Sequence, residues 1–145
     1  MRRWDRWLLC ELHDQHVGVA REAWAASGGR CPVLAVVAYR DAPGMQEVVS
    51  VLDPSRRGPQ LRALGRAMAA EGTCVAAVSC VAPARGERDV MTVVTAGPAG
   101  HALVGTVPVL RSTGGEAALG AATRRVDTAV PFVLESFYEG YRVVR

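Results

Sequence analysis

The sequence predicts one α+β domain spanning residues 1–145, in which a mainly antiparallel sheet of about five strands is combined with three helices. Its 145 residues match the usual size of a single domain and are enough to bury a core. Half of the residues are hydrophobic and 21% are charged, as in ordinary globular proteins. Segments with helical periodicity alternate with valine-rich runs that end at Gly- and Pro-containing turns. These features predict the element order α-β-β-α-β-β-β-α.

Residues 3–27 are predicted to form the first helix, which Gly28 should end. Its apolar side chains recur three or four positions apart, at Trp4, Leu8, Leu12, Val19, Ala20 and Ala23. A continuous apolar run at 32–39 then indicates a buried strand. A turn rich in Pro and Gly and the alternating run 45–52 complete a hairpin.

The second helix is predicted at 59–71, where proline suits the first turn. Valine-rich runs predict three further strands, at 73–82, 89–95 and 101–110. Pro108 has no backbone N–H to donate, so the last strand is expected at an edge of the sheet or near a bulge. The Gly-, Ala- and Thr-rich stretch 112–122 is expected to be a loop or a short helix. A final helix at 131–139 should end before Gly140, and the helices are expected over one face of the sheet.

This order of elements resembles that of the roadblock and light-chain dimerisation domains. The resemblance covers most of the chain and is carried by element order. No sequence motif matches, and the first hairpin lacks a glycine-led pattern. The resemblance implies a non-enzymatic scaffold that forms homodimers.

The amino-acid usage is strongly biased. Lys, Asn and Ile are absent, and all 17 basic residues are Arg. The three absent residues have AT-rich codons, so the bias indicates a GC-rich genome rather than a preference for the guanidinium group. The formal net charge of +3 is too small to indicate nucleic-acid binding by itself.

The cysteines form no C-x-x-C pair, and neither a secretory signal nor a membrane-spanning segment is recognised. We therefore expect a cytoplasmic protein with reduced thiols and no membrane partner. Cys31, Cys74 and Cys80 are expected to be buried and unbridged. Cys74 and Cys80 are too far apart along one predicted strand to form a disulfide.

The strongest chemical cluster is Cys10, His13 and His16 on the first helix. Neighbouring members are three residues apart and can approach one another, and both residue types bind zinc. Cys10 and His16, however, lie about 240° apart around the helix, so the three side chains do not share one face. A structural role beside the core stripe is therefore favoured over a metal site. No catalytic residue and no cofactor are predicted, because phosphate-loop and nucleophile motifs are absent.

Four arginines gather around the start of the second helix, namely Arg56, Arg57, Arg62 and Arg66. Free N–H groups at a helix start favour anions, so these residues are candidates for binding an anion or a nucleic acid. Aromatic side chains that would stack on bases are not interleaved with them. A solvated face is the favoured interpretation.

The candidate interface residues are Trp4, Trp7, Trp24 and Pro108. Trp7, Leu9 and Trp24 are expected to fall partly outside the stripe that one sheet face can cover, and tryptophan is favoured at interfaces.

We therefore expect a non-enzymatic structural or accessory subunit that contacts proteins and self-associates. Two alternatives stay open: a small metal-dependent or thiol enzyme using His13, His16 and a cysteine, and an anion or nucleic-acid binder using the four arginines.

Overall fold

The computed structural model describes residues 6–28, 34–41, 44–51, 55–71, 74–83, 89–97, 102–127 and 132–144. The elements in chain order are α1 (Arg6–Ala26), β1 (Leu34–Asp41), β2 (Gly44–Val51), α2 (Arg57–Glu71), β3 (Cys74–Pro83), β4 (Asp89–Ala96), β5 (Ala102–Arg111), β6 (Ala117–Leu119), β7 (Thr123–Asp127) and α3 (Phe132–Val144). The α+β class and the predicted order are confirmed, and each of the five long strands lies within two residues of its predicted bounds. The assignment of residues 1–145 to one domain stays a prediction.

All strands pair antiparallel, in the order β2-β1-β3-β4-β5-β6, and β7 also pairs with β5. β6 lies in the stretch 112–122, which was expected to be a loop or a short helix, and β7 follows that stretch, where no element was predicted. A tight turn causes the difference: Gly115 adopts a φ of 83°, and Ser112 donates a backbone hydrogen bond of 2.8 Å to Glu116. The chain thereby returns along the outer side of β5.

Helices cover both faces of the sheet, and the expectation that they cover one face is wrong. Adjacent residues of a strand point to opposite faces. In β4, Val94 and Ala96 pack in the cluster of α2 and α3, whereas Met91 and Val93 pack with Ala20 of α1. Burial on both faces explains why the strands are continuous apolar runs rather than alternating ones.

α2 and α3 cross at two glycines. A Cβ on Gly65 would overlap the backbone carbonyl of Phe137, and a Cβ on Gly140 would overlap the carbonyl of Arg62. Gly140 therefore serves close helix packing instead of ending α3, which continues to Val144. The prediction that the helix ends before Gly140 is wrong for this reason.

Aromatic residues of α3 fill the core on this side of the sheet. Phe137 and Tyr138 meet edge to face, with ring centroids 5.0 Å apart. The buried Tyr138 hydroxyl donates a 2.6 Å hydrogen bond to the Ala96 carbonyl.

None of the helices in the described ranges combines the length and apolarity that a bilayer crossing requires.

Candidate functional site

Two histidines lie at the centre of the buried face of α1. His13 and His16 are 2% and 1% exposed, and Leu9, Leu12 and Ala20 are buried beside them. The helix is rotated about its axis relative to the predicted stripe. The expectations that Leu9 lies partly outside the covered face and that the histidines flank it are therefore wrong.

Thr95 of β4 and Gly105 of β5 position the His13 ring. Nδ1 of His13 lies 3.0 Å from Thr95 Oγ1 in a buried hydrogen bond. A Cβ on Gly105 would lie 2.5 Å from Nε2, so glycine is what leaves room for the ring against the strand. Burial lowers the pKa of His13, while Asp14 opposes this shift and Arg124 adds to it. The imidazole is therefore neutral at pH 7.

His16 and Ser79 bring further polar atoms into the layer between α1 and the sheet. Among the described residues, the two ring nitrogens of His16 and the Ser79 hydroxyl have no hydrogen-bond partner. Ser79 is opposite Val93 in register, and Val93 packs in the α1 cluster. Burial, with a smaller effect from His13, lowers the pKa of His16 to about 3. His16 is thus uncharged over the physiological pH range.

The candidate metal ligands do not assemble into a set. Cys10 is half-buried and packs against the cluster of Leu9, Leu12 and Leu103. Within the described ranges, no group of three or more His, Cys, Asp or Glu side chains could hold a metal ion. The side chains of Cys31, Cys74 and Cys80 lie outside the described residues, so their burial stays a prediction.

An open cleft of about 380 Å³ separates α1 from the start of β7. It is lined by His13, Asp14, Val17 and Arg21 of the helix and by Ala122, Thr123 and Arg124. Two polar contacts join its walls: Arg124 Nη1 donates to Asp14 Oδ1, and Arg21 Nη2 donates to the Gly120 carbonyl, each at 2.9 Å. Sequence reasoning did not identify this cleft, because Asp14 and Arg124 are 110 residues apart and meet only through the return of β7 along β5.

The four arginines predicted as an anion site lie at the start and along the outer side of α2. Arg57 is half-buried, and the others are exposed. Arg62 forms an exposed ion pair of 3.0 Å with Glu139 of α3, so its charge is partly compensated. Arg56 contributes its backbone carbonyl to the helix start by accepting from the Gln60 N–H at 3.0 Å.

Of the predicted interface residues, the structure describes the side chains of Trp24 on α1 and Pro108 on β5. Trp24 is half-buried on α1, and the side chains of Trp4 and Trp7 lie outside the described residues. β5 is not an edge strand near Pro108, because β7 pairs along residues 102–106 and β6 along 109–111.

Pro108 sits at the break between these two pairings. Its carbonyl accepts a 2.8 Å hydrogen bond from Gly120 on the outer side. The nitrogen and the carbonyl of a strand residue face the same neighbouring strand. The nitrogen of Pro108, which carries no hydrogen, therefore also faces the outer side, at the break where a donor is not needed.

The two edges of the sheet differ in length and charge. At one end lies β2, eight residues long with Glu47 as its single charged residue, and no strand of the described ranges pairs with its outer side. The other edge consists of the short strands β6 and β7, and β7 carries Arg124, Arg125 and Asp127 within five residues. Short, charged edges discourage pairing with another chain, whereas long, weakly charged edges permit it.

Alternate residues of β2 direct their backbone groups away from the sheet. Gly44 pairs with Asp41 across a two-residue connection, and the closing pair of such a hairpin exchanges hydrogen bonds. The even-numbered residues of β2 therefore bond to β1. The odd-numbered residues, 45 to 51, direct their N–H and C=O groups outward.

No family model, curated protein or solved structure matches the chain. The likeness to roadblock and light-chain domains therefore rests on element order alone.

Proposed function

We propose that the protein is a non-enzymatic accessory subunit that acts through protein–protein contacts and self-associates by pairing the β2 edges of two copies. The observation that carries this proposal is the β2 edge, which pairs with no other strand in the described part of the chain and has one charged residue in eight. Natural proteins usually shorten, charge or cover such edges. Pairing with a second copy would satisfy the outward N–H and C=O groups and would join two sheets into one.

A two-fold arrangement suits the sequence of β2. Antiparallel pairing about a two-fold axis through Val48 sets residue 47 opposite residue 49 of the second copy. Glu47 is then opposite a valine in register rather than opposite its own counterpart. Like charges are thus not apposed, which favours this register.

The polar residues under α1 give the enzyme alternative less support. Thr95, the hydrogen-bond partner of His13, is fully buried and cannot present its hydroxyl to a substrate. Cys10 packs against a leucine cluster. The nucleic-acid alternative loses part of its positive charge where Glu139 pairs with Arg62.

Sedimentation equilibrium over a wide concentration range tests the proposal. The wild type should be a dimer at the upper end of the range. Val49→Pro removes one outward N–H near the centre of β2 without removing a bond to β1, so it should weaken dimerisation at least tenfold. The matched control Val49→Ala keeps the N–H and should remain a dimer.

Circular dichroism and thermal unfolding establish that each variant is folded. A wild type that stays monomeric at every concentration would contradict self-association. A Val49→Pro variant that is folded and dimerises like the wild type would show that the β2 edge is not the contact.

A further inference from the structure

We infer that the cleft between α1 and the start of β7 binds an oxyanion, namely the phosphate or carboxylate group of a small molecule. This site goes beyond the proposed subunit role and does not depend on it. It also differs from the arginine group on α2 that the sequence indicated.

The charges that line the cleft favour an anion. Arg21 of α1 and Arg124 of β7 place guanidinium groups on its two walls, and Asp14 is the single carboxylate of the lining. His13 is neutral because burial lowers its pKa. The lining therefore carries one net positive charge. The Asp14 side chain is 67% exposed, so solvent screens its pairing with Arg124 and an incoming anion can compete for the guanidinium.

Each guanidinium group already has one hydrogen-bond partner in the fold. Arg21 donates to the Gly120 carbonyl and Arg124 donates to Asp14, each over 2.9 Å. A guanidinium has five N–H donors in a fixed fork, so each group keeps donors for a bidentate contact with phosphate or carboxylate oxygens.

His13 provides a buried polar group at the base of the cleft. Its Nδ1 is fixed by Thr95, and its ring rests on Gly105, where no side chain intervenes. Nε2 packs against the backbone at Gly105, so His13 forms a fixed, neutral floor beneath the two guanidinium groups. The site thus combines two guanidinium donors, one from α1 and one from β7, with a neutral ring at its base.

The dimensions of the cleft point to a small molecule. A volume of about 380 Å³ lies within the usual range for small-molecule sites. Val17 and Ala122 add apolar surface to the lining. A phosphate ester or a carboxylate with a modest apolar part fits this combination better than a long polyanion.

NMR titration of the full chain with inorganic phosphate, and separately with acetate, tests the inference at constant ionic strength against sodium chloride. Saturable shifts are expected for the His13 ring and the Arg21 side chain. Arg124→Gln should weaken the binding about tenfold or more, the loss expected for a charge-assisted hydrogen bond. Arg21→Lys keeps the charge but loses the fork, and it should also weaken the binding.

The matched control is Arg125→Gln. Arg125 is exposed and adjacent to Arg124, so this variant changes the net charge equally while the cleft residues stay in place. Its affinity should equal that of the wild type. Equal weakening in both variants would show diffuse surface attraction and overturn the inference, as would shifts that never saturate with either anion. Tighter binding of phosphate would assign a phosphate-bearing ligand, and tighter binding of acetate would assign a carboxylate.

Discussion

His16 holds an imidazole inside a layer where its nitrogens find no hydrogen-bond partner among the described residues. A buried polar group without a partner destabilises the fold by about 1–3 kcal/mol, and a buried charge without a partner does so far more strongly. The ring therefore stays neutral, and its pKa falls to about 3. His13, a turn earlier, has Thr95 as a partner.

We predict that stability falls as the pH drops below 6.5, the ordinary pKa of histidine. The unfolded chain binds a proton at His16 below that pH, whereas the folded chain does not until about pH 3. The contribution of His16 to stability is therefore constant above pH 6.5 and is lost as the pH falls from 6.5 toward 3. At about 1.4 kcal/mol per pH unit, His16 alone should lower the free energy of unfolding by roughly 2 kcal/mol at about pH 5.

Urea unfolding of the wild type and of His16→Leu, at neutral pH and at about pH 5, measures this effect. Leucine removes both the titrating group and the unpartnered nitrogens, so the variant should be more stable at both pH values and less sensitive to acid. The His16→Leu variant should still lose some stability on acidification, because the pKa of His13 is also lowered. Identical acid sensitivity in the two proteins would contradict the prediction.

At the scale of elements, the close crossing of α2 and α3 depends on glycine. We predict that Gly65→Ala destabilises the protein by about 1–3 kcal/mol, because the added Cβ would overlap the Phe137 backbone. Gly18→Ala in α1 is the matched control. A Cβ there meets nothing within 4 Å, so the change should stabilise the protein by about 0.5–1 kcal/mol through helix propensity. Thermal unfolding measures the stability of both variants. A Gly65→Ala variant that is more stable than the wild type would contradict the close packing of α2 on α3 at Gly65.

The sequence predicted the long strands because valine-rich runs bounded by Gly and Pro carry a strong local signal. β6 was missed because it lies in Gly-, Ala- and Thr-rich sequence, and β7 was missed because Val126 is the single apolar residue among its five. Both strands form through pairing with β5. Gly140 was assigned a local role as a helix stop, whereas its role is tertiary. The rotation of α1 escaped prediction because two histidines occupy the apolar face.

The site could be predicted only in part. His13 and His16 stood out as a chemical cluster, but their helical spacing did not reveal Thr95, Gly105 or Arg124. These partners come from β4, β5 and β7, and the strand register that brings them under α1 leaves no trace in a single sequence.

At the scale of the whole molecule, both faces of the sheet are covered by helices, so the sheet can grow only at its edges. The interrupted, arginine-bearing edge of β6 and β7 is poorly suited to pairing, which leaves β2. Under the proposed self-association, two-fold pairing of β2 would give a closed dimer rather than a filament, because such a contact uses the same strand in both copies.

Amide hydrogen exchange at low and high protein concentration tests the central claim most directly. The outward N–H groups of residues 45, 47, 49 and 51 should exchange slowly at high concentration and faster on dilution, because dimerisation gives them partners. The outward amides of β7 should exchange at the same rate at both concentrations and serve as the internal control. Exchange in β2 that does not change with concentration would contradict self-association through this edge.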